Sequence, residues 1–363
     1  MKNTIFGRRK TTRVLAAIIG LQIACIGSVQ ALTINLNDIG GVAGTDAEAG
    51  FLAAANFWEG ILADNVTVNL DVGFSSLGAG ILGGATSALG IVDYTSVRNA
   101  MIADATSVGD AIATANLAAG PTFDTMINLT ADNPNGAFSF TPYLDNDGGL
   151  NNALNYMTSA NARALGLLAG NDPQNDGLIQ FSSDFAFDFD ASYGIGGGLI
   201  DFVGVAIHEI GHTLGFISGV DQLDNLLPLI GGTGIDDDYL STTLDLFRYS
   251  DLSAGLGVTD MSADGRSKYF SIDGGTTNLA EFSTGVNFGD GRQASHWRDN
   301  LGLGIMDPTF APGEFGVVTA LDLVAFDVIG WDLNLSQPVP EPATITLMGI
   351  GLVGLAYRRR RKA

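Results

Sequence analysis

Hydrophobic positions along the chain switch between two periods. Thr33 to Leu36 alternates as a short strand, and residues 47–62 then set Phe51, Ala54, Ala55, Trp58, Ile61 and Leu62 at helical spacing. Val66, Val68, Leu70 and Val72 return to alternation, the pattern of a strand with one buried face. Helical spacing recurs near 96–116 and 150–169, on either side of a turn-rich segment at 131–149. Leu178-Ile179-Gln180-Phe181-Ser182 reads as a strand, followed by Phe185, Phe187 and Phe189 alternating with Ala186, Asp188 and Asp190. A glycine loop at 193–198 leads to Asp201, well placed to cap a helix that begins at Phe202. Residues 219–290 read mostly as loops and short strands, and 317–331 as a closing helix ending at Gly330. No internal repeat and no linker divides this body. The order of elements predicts an α+β fold, with a twisted sheet and helices in the first part and a more irregular second part.

The ends follow a different rule. Lys2, Arg8, Arg9, Lys10 and Arg13 precede an apolar run at 14–28, and small residues follow up to Ala31. That is the order of a secretory signal peptide over 1–31, cleaved after Ala31, with an apolar run too short for a permanent anchor. At the other end, Val339-Pro340-Glu341-Pro342 leads into an apolar stretch at 343–357 and then Arg358, Arg359, Arg360, Arg361 and Lys362. Fifteen helical residues cover about 22 Å, short of the roughly 30 Å hydrocarbon core, so this short transmembrane segment predicts transient inner-membrane association. Cations at its end are a stop-transfer pattern. The arrangement over 335–363 resembles the PEP-CTERM sorting signal of Gram-negative bacteria. The resemblance implies the export machinery and an exosortase-type enzyme as partners, and a secreted or cell-surface protein.

Composition changes the picture once these ends are set apart. The whole chain carries 39 acidic and 17 basic residues, a formal charge of −22. Residues 32–338 alone hold 38 acidic and seven basic side chains, near −31. Such a body excludes nucleic acid as a partner and favours cationic peptides. The single cysteine, Cys25, leaves with the leader, which excludes a disulfide framework and any cysteine-based zinc module. With 46% hydrophobic residues, the chain is too apolar to be disordered as a whole.

Only three histidines occur, so each position carries information. The helix beginning at Phe202 bears His208-Glu209-Ile210-Gly211-His212, with Gly215 three residues on. Histidines at i and i+4 share a helix face and can reach one metal ion, while Glu209 is the neighbour able to hold a metal-bound water. A catalytic zinc needs a third protein ligand and an open position. Ser218 is a poor ligand, Asp221 is an alternative, and the remaining histidine, His296, is the stronger candidate.

Around it stand Ser295-His296-Trp297, then Gly304-Ile305-Met306-Asp307, then Thr319-Ala320-Leu321-Asp322 and a stretch to Gly330-Trp331. This resembles the leishmanolysin family of zinc endopeptidases in the metzincin clan, and more closely the PEP-CTERM-bearing metalloproteases of bacteria. The resemblance covers roughly 200–331. It implies a two-lobed metalloprotease domain over 32–334, with an N-lobe of about 32–218 and a C-lobe of about 219–334. It also implies His208, His212 and His296 as zinc ligands, Glu209 as general base towards a zinc-activated water, and Met306 as the methionine beneath the metal. With no cysteine in the body, the family's disulfide-bound C-terminal region and cysteine-switch latency have no counterpart.

The expected activity is hydrolysis of peptide bonds in a protein or peptide substrate. An exported matrix protein that keeps a metal-stabilised fold without cleaving anything is the competing reading. No tyrosine follows the methionine as in astacin-like relatives, and Tyr249 is a substitute more in keeping with an exposed surface position. Trp297 is expected to pack. The strand near 178–183 is a candidate edge for pairing with an extended peptide. Two acidic segments, Asp145-Asn146-Asp147-Gly148-Gly149 and Asp236-Asp237-Asp238, raise the possibility of Ca2+, although neither is a full EF-hand loop.

Overall fold

The computed structural model describes residues 31–78, 80–230 and 234–334. The expected signal peptide over 1–31, apart from Ala31, and the tail at 335–363, with its stretch 343–357, lie outside the described residues. Among the described residues no helix is long and apolar enough to cross a membrane.

The fold is a mixed α+β arrangement of several small sheets and helices. The largest sheet has four strands in the spatial order Thr33–Gly40, Thr67–Ser75, Gly177–Ser182, Gly83–Ser87. The first three run parallel and the last is antiparallel. Parallel pairing needs a long crossover, and the helix Asp46–Ile61 supplies the first one. Its buried stripe of Ala47, Phe51, Ala54, Ala55 and Trp58 faces the core. There Phe51 meets Phe181 of the sheet and Phe202 at the start of the helix Phe202–Thr213.

That second helix is clamped from both sides by tryptophans. The Trp58 indole N–H donates to the Ile207 carbonyl at 3.0 Å, and that of Trp331 to the Leu214 carbonyl at 2.8 Å. At its start, Asp201 accepts from the Gly204 N–H at 2.9 Å, the cap expected from the sequence.

Three stretches depart from the sequence pattern. The helical spacing near 96–116 resolves into two helices, Tyr94–Asp104 and Val108–Ala115, because Ser107 and Asp110 form a capping box that starts the second. Within 150–169 only Leu150–Ala153 and Ser159–Ala164 are helical. Leu154–Thr158 between them is a strand, paired with Leu89–Asp93 and with Ser241–Thr242, so cross-strand partners overrode local periodicity. The region 219–290 contains an 11-residue helix, Val220–Ile230, masked in the sequence by Gly219 just before it and by Pro228 within its last turn. The closing helix is shorter than expected, Ala320–Val328, and the chain turns at Gly330 with φ +109°.

Near the end of the first helix, carboxylates crowd together, and among the described residues none of Asp64, Asp104, Asp327 and Asp332 forms an ion pair with a Lys or Arg. Burial, with Asp332 alongside, pushes Asp64 up to about 8, and burial likewise pushes Asp104 up to about 7 and Asp327 up to about 6. Carboxylates raised in the folded state bind protons there that the unfolded chain has released. Their stabilising effect is complete below about pH 4 and is lost as pH rises towards 8. Thermal melts are expected to show Tm falling from pH 5 to pH 8, with a shallower fall in Asp64→Asn. That variant keeps an oxygen for the Asp332 N–H, which Asp64 accepts at 2.9 Å. Equal slopes in the two proteins would reject the assignment.

Candidate metal centre

His208 and His212 project from the same face of the Phe202–Thr213 helix, and His296 approaches from the loop opposite. The three Nε2 atoms form a near-equilateral triangle with sides of 3.0, 3.1 and 3.2 Å. Two nitrogens bound to one tetrahedral zinc at about 2.05 Å stand about 3.3 Å apart, so the triangle fits a single ion.

Each ring is turned by its other nitrogen. His208 Nδ1 donates to the Ile305 carbonyl at 2.7 Å, His212 Nδ1 to the Phe216 carbonyl at 2.7 Å, and His296 Nδ1 to the Gln293 carbonyl at 3.2 Å. A carbonyl can only accept, so the proton sits on Nδ1 and the Nε2 lone pair faces the centre. Burial, aided by the adjacent imidazoles, pushes His208 down to about 3 and His296 well below its ordinary value. Burial alone accounts for His212, pushed down to about 4. Three neutral imidazoles with converging lone pairs are the donor set that a zinc ion takes.

Local sequence explains these positions. Gly215, at φ +122°, reverses the chain directly after the helix, which returns the Phe216 carbonyl to His212. Gly211 is bare because Met306 lies against it. A Cβ there would come within 2.8 Å of the Met306 sulfur, so the methionine fills the space beneath the helix between the two histidines. Met306 is fully buried.

Glu209 lines the same cleft, a cavity of about 710 Å³. Burial pushes its carboxyl up to about 7, and a hydrogen bond with the Ala85 backbone opposes the rise. One wall is the strand Gly83–Ser87, the edge of the four-stranded sheet. This corrects the expectation that 178–183 is the edge. Gly177–Ser182 lies inside the sheet, and the run Gly83-Gly84-Ala85-Thr86-Ser87 escaped notice because it has no large alternating side chains.

Asp221 and Ser218 line the cleft but turn their side chains to other partners. Asp221 is not part of the histidine cluster; its carboxylate accepts from the N–H groups of Ala294 at 2.6 Å and Ser295 at 3.1 Å, and so fixes the loop before His296. Ser218 donates to Asp245 at 2.6 Å. Tyr249 is buried rather than exposed, in a short strand paired with Lys268–Phe270, and it does not line the cleft. Trp297 packs as expected, stacked on Phe282 with ring centres 5.0 Å apart.

One residue carrying this arrangement went unassigned in the sequence. Asp322 is fully buried and accepts from the Trp297 indole at 2.8 Å, the Ile305 N–H at 2.9 Å and the Thr319 N–H at 2.7 Å. It therefore ties the residue after His296, the residue whose carbonyl orients His208, and the start of the closing helix. Its signal in the sequence is the capping box Thr319-x-x-Asp322.

Comparison with known proteins adds a decisive observation outside the cleft. Residues 338–361 match the model of the PEP-CTERM protein-sorting motif. The chain carries an exosortase sorting signal. The motif indicates export to the cell surface in Gram-negative bacteria, with recognition by an exosortase-type sorting enzyme. No curated protein and no solved structure matches the chain.

Proposed function

We propose that this exported protein is a zinc-dependent endopeptidase of the leishmanolysin-like, metzincin type, with lobes of about 32–218 and 219–334 meeting at the cleft. The observation that carries the reading is the convergence of three Nε2 lone pairs beside Glu209 in an open cleft. A site built only to stabilise the fold has no use for a half-buried carboxylate next to its ligands.

His208, His212 and His296 would hold the ion. Zinc bound there lowers the pKa of water and polarises a carbonyl. Glu209 takes the proton of the attacking water as a peptide carbonyl is hydrolysed, and returns it to the leaving amine. The unpaired edge Gly83–Ser87 offers backbone groups with which an extended peptide can pair as an added strand. Aligned there, the peptide passes directly over Glu209, because Ala85 of the edge is the residue facing it. Met306 shapes the floor and binds nothing.

The test is metal analysis of the purified protein alongside hydrolysis of a generic unfolded polypeptide, with Glu209→Ala as control. About one zinc per chain in both proteins is expected, with cleavage lowered about 10²–10⁴-fold in the variant. Zinc without Glu209-dependent cleavage would favour the matrix-protein reading.

A further inference from the structure

The loop that delivers His296 is gripped by two charged side chains that do not touch each other. Arg248, 1% exposed, donates from Nη2 to the Ser283 carbonyl at 2.7 Å and from Nη1 to the Ala294 carbonyl at 3.3 Å. From the cleft side, the half-buried Asp221 carboxylate accepts from the N–H groups of Ala294 and Ser295. Ala294 therefore joins them, its N–H on the anion and its carbonyl on the cation. Ser283 extends the grip, since its N–H donates to the His296 carbonyl at 3.0 Å and its hydroxyl to the Trp297 carbonyl at 2.9 Å.

Stability does not explain a guanidinium in this position. Burying one is costly unless its donors and charge are fully met, and an apolar side chain of similar volume often serves a fold as well. Here Nε has no acceptor, and among the described residues Arg248 forms no ion pair. Asp245, Asp260, Asp221 and Asp290 sustain its charge without contact, against the burial that pulls it below its ordinary range. Its flat face lies over Phe282, 4.9 Å from the centre of the ring that stacks on Trp297.

His296 is the histidine that needs such support. His208 and His212 are placed by their helix, and each Nδ1 has a carbonyl at 2.7 Å. His296 stands in a loop, and its Nδ1 contact with Gln293 is longer, at 3.2 Å. Its aim is therefore set by the backbone around it more than by its own ring contact.

We propose that Arg248 and Asp221 act together, through the backbone of Ala294, as a positioning pair that fixes the third nitrogen of the histidine triangle. The proposal rests on the zinc reading and adds to it two residues that bind no metal themselves. A guanidinium fork holds two carbonyls at a fixed spacing, which the point charge of a lysine does not. With the fork removed, the loop keeps its Asp221 anchor and loses the opposite one. The metal is then left with two well-placed ligands and one loose ligand.

The test compares zinc affinity, by chelator competition, and the visible spectrum of the cobalt-loaded protein, which reports ligand geometry. Arg248→Met is expected to weaken zinc about 10-fold, the lower end of the range for residues that orient a ligand, and to change the cobalt spectrum. Arg248→Lys should recover part of the affinity. Adding Asp221→Asn to Arg248→Met should weaken zinc by less than Asp221→Asn does alone, because half of a broken bridge holds little. Arg163→Met is the control, since Arg163 is 2% exposed, pairs with Asp176 at 2.9 Å and does not line the cleft. It should lower Tm and leave zinc affinity and the cobalt spectrum unchanged. The proposal is overturned if Arg248→Met matches the unsubstituted protein in both readouts, if Arg163→Met weakens zinc as much, or if the two substitutions simply add. Should Arg248→Met not fold, Arg248→Lys decides, and an unchanged spectrum and affinity there overturns the proposal. An unsubstituted protein that takes up neither metal would sink the zinc reading and this proposal with it. Normal uptake with insensitive variants overturns the proposal alone.

Discussion

On the proposed zinc-peptidase reading, protein carrying His296→Ala is expected to fold, to bind zinc at least about 100-fold more weakly than the unsubstituted protein, and to lose the proposed peptide cleavage. Removing a neighbour that merely orients a ligand already weakens metal binding about 10–100-fold, and loss of the ligand itself exceeds that range. His296 closes the triangle with sides of 3.1 and 3.2 Å to the other two histidines, and no other described metal-binding side chain belongs to that cluster. A chelator competition titration measures the affinity, and circular dichroism checks the fold. Full zinc and activity in His296→Ala would remove the leishmanolysin-like ligand set and restore Asp221 as third ligand. Asp221→Asn is the natural companion, because it loosens the loop and keeps the histidine. It should weaken zinc far less.

Asp322→Ala is expected to cost about 3–5 kcal/mol, the range for breaking a buried, fully engaged polar group. The Trp297 indole and the N–H groups of Ile305 and Thr319 would lose their acceptor inside the core. Tm should drop by roughly 10 °C. Asp322→Asn keeps an acceptor oxygen and should recover part of that loss. Zinc affinity should fall in both variants, because Ile305 orients His208 and Trp297 adjoins His296. Urea melts with an unchanged midpoint in Asp322→Ala would show that the carboxylate is dispensable.

The convergence of the three histidines was largely legible in the sequence because histidine is a rare residue type in this chain. With three histidines in the chain, helical spacing accounts for two and leaves one. Asp201 as a cap and Trp297 as packing were equally readable, since both follow from local rules. What stayed hidden depends on partners distant in sequence. The edge Gly83–Ser87 is made of small residues, and only its pairing with Gly177–Ser182 makes it a strand. Leu154–Thr158 looked helical until Leu89–Asp93 and Ser241–Thr242 claimed it from either side. Tyr249 is buried in a two-residue strand, too short a pattern to reveal burial in the sequence. Asp322 was visible as a capping residue, but its reach to Trp297 and Ile305 is tertiary.

The first and last described segments end beside each other. The Thr33 N–H donates to the Val66 carbonyl, Leu62 bridges Leu333, and the Asn334 N–H donates to the Ile61 carbonyl. Residues 61–66 thus form a common post to which both ends of the body are tied, and none of them lines the cleft. Loss of the expected signal peptide on one side of that post, or of the sorting tail on the other, would touch no residue that lines the cleft. The same proximity makes the body a candidate for circular permutation. New ends could then be opened in the exposed turn near Gly120, with the histidines undisturbed.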